Sequence, residues 1–156
     1  MHAFGLPLLS LALFAGTCVA GGQASPSAAP TRAADDARCG RISVFDVAPR
    51  SEELYRARVM NIDGRLPGPT GARSFRVTPG RHVLEVAELI DPEQFNDVQR
   101  RQRDMRPNPY KELVVDVQPD TTYLLAARLV TARRNFINDG SYWEPVIYRQ
   151  NSEPCQ

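Results

Sequence analysis

Histidine is close to absent from this chain of 156 residues: there are two, and His2 lies in the leader, so His82 is the one left to the folded part. A nucleophile–histidine–acid set has a single ring to draw on, and no G-x-S-x-G elbow accompanies it. Cysteine is also sparse, at three. Among the 19 basic side chains only Lys111 is lysine, which reads as compositional bias. Neither sign of charge predominates: 19 basic groups face 18 acidic ones for a net charge of +1, which gives no case for nucleic-acid binding. The apolar run from Leu8 to Ala15 falls well short of the ~20 residues a membrane-crossing helix needs. Internal repeats are missing. Neither Asp63-Gly64 nor Asn138-Asp139-Gly140 has the alternating acidic spacing of a calcium loop. No metal and no cofactor are expected.

What is present at the start has the form of an export signal. Residues 1–20 read MHAFGLPLLSLALFAGTCVA, with a short apolar centre and a small-x-Ala end at Cys18-Val19-Ala20. Cys18 also fits a faint lipobox, which would anchor the protein to the envelope instead of releasing it. Residues 21–37, GGQASPSAAPTRAADDA, are rich in Gly, Ala, Ser and Pro and carry little to bury. They read as a disordered linker with a reach of ~20–25 Å. Residues 38–156 are then one small domain. It retains two cysteines, Cys39 and Cys155, at its two extremes. In an oxidising compartment they are expected to pair, closing a long loop worth about 4–5 kcal/mol in the chain-entropy picture. The localisation this implies is periplasmic or secreted, with no membrane-spanning segment.

Period-two alternation dominates the domain. Strands are expected at 41–47, 54–62, 72–77, 82–90, 113–117, 122–130 and 142–149. In 54–62, Tyr55, Ala57 and Val59 alternate with Arg56 and Arg58. Thr78-Pro79-Gly80-Arg81 reads as a tight turn that makes 72–90 a hairpin. The period changes after Asp91-Pro92-Glu93-Gln94, a helix start with Asp91 as N-cap. Phe95, Val98, Gln102 and Met105 would fall on one side of that helix, with Arg100, Arg101 and Arg103 pointing elsewhere. Pro145 marks the last strand as an edge or a bulge. Seven short strands and one inserted amphipathic helix predict a mainly β fold, a single antiparallel β-sandwich of Ig-like or prealbumin-like type.

Ile62-Asp63-Gly64 followed by RSFRVTPGRHVLEV resembles PEGA-type and carboxypeptidase-regulatory-like β-sandwich domains, in which an x-D-G turn precedes an apolar strand and a P-G-x-H turn. The resemblance covers Ile62 to Val86. It implies a sandwich with a binding or structural role and supplies no catalytic residues.

Several residues could carry chemistry. His82, at a turn before a strand, is expected to be structural. Glu85, Glu88 and Asp116 could do acid–base work only if burial raised one of their pKa values, and are expected to lie on solvated strand faces. QRRQRDMR (99–106) offers Arg100, Arg101 and Arg103 as an anion patch for a lipopolysaccharide-like polyanion. Asp97 and Asp104 at helical spacing make the same residues a solvated ion-paired face. Tyr142 and Trp143, with Tyr148 nearby, are a candidate binding patch. The alternative places Trp143 in the core beside a Cys39–Cys155 bridge. The resulting expectation is an exported, disulfide-closed, non-catalytic module whose partner is an envelope protein or a glycan. Polyanion binding through the Arg helix and an enzyme with a carboxylate pair are the alternatives.

Overall fold

The computed structural model describes residues 39–46 and 48–155. The leader expected at 1–20 with Cys18, and the linker expected at 21–37, lie outside the described residues. Seven strands run in the order β1 (Gly40–Ser43), β2 (Leu54–Ile62), β3 (Ser74–Val77), β4 (Gly80–Leu89), β5 (Tyr110–Val117), β6 (Thr121–Leu129) and β7 (Trp143–Ser152). Among the described residues one α-helix, α1 (Asp97–Asp104), is inserted between β4 and β5. Short 3-10 turns occupy Arg50–Glu52, Pro92–Gln94 and Thr131–Arg133.

The strands form one mixed, open sheet in the order β3-β1-β6-β2-β4-β5, with β7 also on β6. Strand β7 pairs with β6 along its whole length, from Thr121↔Ser152 to Leu129↔Trp143. The other edge of β6 is therefore shared. β1 takes its first half in parallel (Arg41↔Thr122, Ser43↔Leu124), and β2 takes its end in antiparallel (Leu54↔Arg128, Tyr55↔Ala127). With β1 in the way, β2 leaves β6 after Tyr55 and pairs with β4 instead, with a register shift between Val59 and Asn61. The sheet expected to be wholly antiparallel is mixed because of the β1–β6 pair.

Alternation decides which residues go inside. Tyr55, Ala57 and Val59 of β2, Leu84 and Val86 of β4, Val115 and Val117 of β5, and Tyr123, Leu125, Ala127 and Leu129 of β6 all join one core cluster. Burying each large apolar side chain is worth about 1.5–3 kcal/mol. The intervening residues of β2, Arg56 and Arg58, face solvent, as the sequence predicts. A second, smaller cluster of Ala48, Leu54 and Ala126 shows that the chain between β1 and β2 folds over the outer face of β6.

Two local expectations are corrected. Residues 72–90 are not a hairpin: β3 pairs with β1, whereas β4 pairs with β2 and β5. Thr78-Pro79 is a crossover, and Gly80 takes φ 127°, a value side-chain-bearing residues avoid. The helix begins later than Asp91. Its N-cap is Asn96, whose side chain accepts from Gln99 N at 2.9 Å while Gln99 Oε1 accepts from Asn96 N at 3.0 Å. This is a capping box one turn downstream. The rotation turns Val98 and Met105 out to solvent and buries Gln99. Gln99 Nε2 donates to Asn135 Oδ1 at 3.0 Å and to Arg134 O at 3.3 Å.

Candidate functional site

The two ends of the described chain meet. Cys39 and Cys155 form a disulfide with Cα atoms 5.6 Å apart, a normal separation for such a bridge. Asp120, in the β5–β6 turn at φ 51°, holds both ends beside it. Its N–H donates to Cys39 O at 2.8 Å, and its carbonyl accepts from Glu153 N at 2.9 Å. Its Oδ1 accepts from Cys155 N at 3.1 Å. Gly40 is required here: a Cβ would lie 2.3 Å from Val117 Cγ1 and 2.7 Å from Gln118 O.

Next to this clasp, the outer face of β3, β1, β6 and β7 carries an open depression of about 270 Å³. Arg41, Ser43, Ser74, Thr122, Leu124 and Asn151 line it from the strands, with Phe45, Asp46 and Glu153 at its rim. Strand register explains the grouping: Arg41 faces Thr122, Thr122 faces Asn151, and Ser43 lies between Ser74 and Leu124. Ser43, Thr122 and Leu124 are buried at the floor, while Phe45 is 67% exposed. Ser43 Oγ accepts from Phe45 N at 3.2 Å, and Thr122 Oγ1 donates to Glu153 Oε2 at 3.0 Å. Arg73 reaches the Phe45 ring at 6.0 Å. No sequence signal marked this face, because the parallel β1–β6 contact that builds it joins residues far apart in the chain.

The candidates read from the sequence lie elsewhere. The side chains of Glu88 and Arg103 are 8% and 16% exposed, so neither sits on a solvated face. Arg103 donates to Glu88 Oε1 from Nη2 at 2.6 Å and from Nε at 3.0 Å. The Tyr142 hydroxyl donates to the same oxygen at 2.8 Å, and Ile90 N donates to Oε2 at 2.7 Å. Both carboxylate oxygens are thus engaged. Burial alone would lower the Arg103 pKa, but the adjacent Glu88 outweighs it and the net shift is upward. The Arg103 guanidinium also stacks 4.2 Å from the centre of the Phe95 ring, and Phe95 meets Tyr142 edge-on at 5.6 Å. This set bolts α1 to the end of β4 and the start of β7.

The Arg triad is consequently divided. Arg103 is held inside, Arg100 is ion-paired with Asp97, and Arg101 is exposed. The aromatic patch is divided too: Tyr142 and Trp143 are 1% and 0% exposed, and Tyr148 is half-buried. Their two buried rings belong to the core rather than to a surface open to a ligand. Trp143 is not beside the bridge, since it opens β7 and Cys155 lies beyond its far end. Lys111 Nζ donates to Trp143 O at 2.6 Å, and burial, followed by the nearby Arg106, lowers the Lys111 pKa.

His82 is buried, with Nε2 2.7 Å from Thr78 O and Nδ1 2.7 Å from Asp63 Oδ2. Asp63 Oδ1 accepts from Val83 N at 2.9 Å. That backbone bond, followed by His82, lowers the Asp63 pKa. The x-D-G and P-G-x-H turns noted in the sequence are therefore hydrogen-bonded to each other. Glu85 is bonded to Asn61, and Asp116 is exposed on β5. No group of three or more His, Cys, Asp or Glu among the described residues is arranged to hold a metal ion. No helix among them is long and apolar enough to cross a membrane. Set against protein-family models, curated proteins and solved structures, the chain matches none.

Proposed function

We propose that this chain is an exported, disulfide-closed β-sandwich protein that acts as a non-catalytic binding or structural module in the periplasm or cell envelope. The Cys39–Cys155 bridge carries the reading, because such bonds persist in oxidising compartments and are rare in the cytosol. The leader-like residues 1–20 and the linker-like residues 21–37 agree with it. A sandwich is supported by the way β2 leaves β6 for β4 and by the single core cluster that draws side chains from β1 through β6. The resemblance of Ile62–Val86 to PEGA-type domains points the same way. A non-catalytic role is supported by the carboxylate of Glu88, whose side chain is 8% exposed, having both oxygens committed to structural partners.

The test is the intact mass of the native protein recovered from fractionated cells. The expected species lacks the leader, carries no lipid and is two hydrogens lighter than its dithiol. A lipid on Cys18 would make it envelope-anchored within the same reading. Full-length chain in the cytosol with both thiols free would overturn it.

A further inference from the structure

We infer that the depression beside the clasp is a subsite for one pyranose ring of a neutral saccharide. The inference rests on the binding-module reading and names its ligand class. Its size is the first reason: about 270 Å³ lies just below the range of drug-sized pockets, ~300–1,000 Å³, and suits a single sugar ring. Its chemistry is the second. A sugar presents hydroxyls that both donate and accept, together with an apolar C–H face. The depression offers amide donors on Asn151, hydroxyls on Ser43, Ser74 and Thr122, and carboxylate acceptors on Asp46 and Glu153. Phe45 supplies an exposed flat ring at the rim, the kind of surface on which an apolar ring face stacks.

Charge selects among ligands. Among the described residues, two carboxylates and one guanidinium line the depression, which disfavours phosphate and other polyanions and suits a neutral partner. Rigidity is the third reason. Thr122 orients Glu153, and Ser43 fixes the backbone of Phe45. The disulfide ties down Cys39 and Cys155, each two residues from a lining residue, Arg41 and Glu153. A site held this way loses little freedom on binding.

The experiment is a titration of the purified, oxidised chain with maltotriose, cellotriose and the trimer of N-acetylglucosamine, followed by amide chemical shifts. At least one sugar should move the amides of Ser43, Phe45, Thr122 and Asn151 together. Phe45→Ala should weaken that sugar about tenfold with an unchanged melting temperature, and Phe45→Trp should restore it. Shifts with none of the three sugars, or shifts that Phe45→Ala leaves intact, overturn the assignment. Neither result touches the export reading, which the mass of the native protein decides separately.

Discussion

Removing Arg103 would leave the Glu88 carboxylate inside the fold with only Tyr142 and one backbone N–H as partners. Breaking a buried pair from one side costs about 3–5 kcal/mol, whereas replacing both partners with apolar groups is often close to neutral. Arg103→Leu should therefore cost about 3 kcal/mol in urea unfolding, and Glu88→Leu with Arg103→Leu should recover most of it. A single-variant cost below about 1 kcal/mol would class the pair with exposed ion pairs. Tyr142 makes a second prediction. Burial first, and then Glu88, push its pKa from 10.0 up to about 12. The unfolded chain gives up that proton first, so stability should fall as pH rises between those two values. Tyr142→Phe should flatten the alkaline limb of a denaturation series. The acid limb has the opposite sign. Asp63 and Asp139 are lowered in the folded state, first by the backbone N–H groups of Val83 and Ser141. Their contribution is complete above the ordinary carboxylate range and disappears as pH falls through and below it.

The elements show what local sequence carries and what it does not. Alternation in Leu54–Ile62 places that strand and its buried side correctly, because period two depends only on neighbouring residues. The same rule applied to β4 puts Glu88 in phase with His82, Leu84 and Val86, all buried. The signal for an interior carboxylate was thus present, and only the habit of assigning Glu to solvent hid it. Pairing partners are another matter. Thr78-Pro79-Gly80 has turn composition, but it carries the chain between two groups of strands, which local chemistry does not specify. The helix was legible in existence and misplaced in phase, since Asp91-Pro92 and Asn96 both look like starts. Only Asn96 receives a side-chain capping bond. Asn96→Ala should cost about 1 kcal/mol, seen as faster amide exchange across Asp97–Asp104, whereas Asp91→Ala should leave that exchange unchanged. The depression at Ser43, Thr122 and Asn151 was illegible for the reason given by its register.

At the scale of the whole molecule, an open sheet must guard its edges. Strand β3 has only four residues. β7 carries Pro145 and a register shift where Leu124 and Leu125 of β6 face Arg149 and Ile147. β5 pairs on one side only and turns Lys111 inward to Trp143. A charge pointing inward from an edge strand discourages a second chain from docking there. Lys111→Val should raise self-association in sedimentation experiments while keeping the fold; an unchanged sedimentation profile would refute this role. The clasp sets the tolerance of the entire body to reduction. Cys39→Ser with Cys155→Ser should lower stability by about 2–5 kcal/mol. Trp143, the one tryptophan, lies sealed at the opposite end of β7 from that clasp, about 30 Å away along the strand. Its emission should be blue-shifted when folded and should redden only when its own end opens, while thiol trapping under mild reductant times the other end. Unlabelled protein thus contains two independent clocks, and a lag between them would reveal whether the body comes apart in one step or from one pole first.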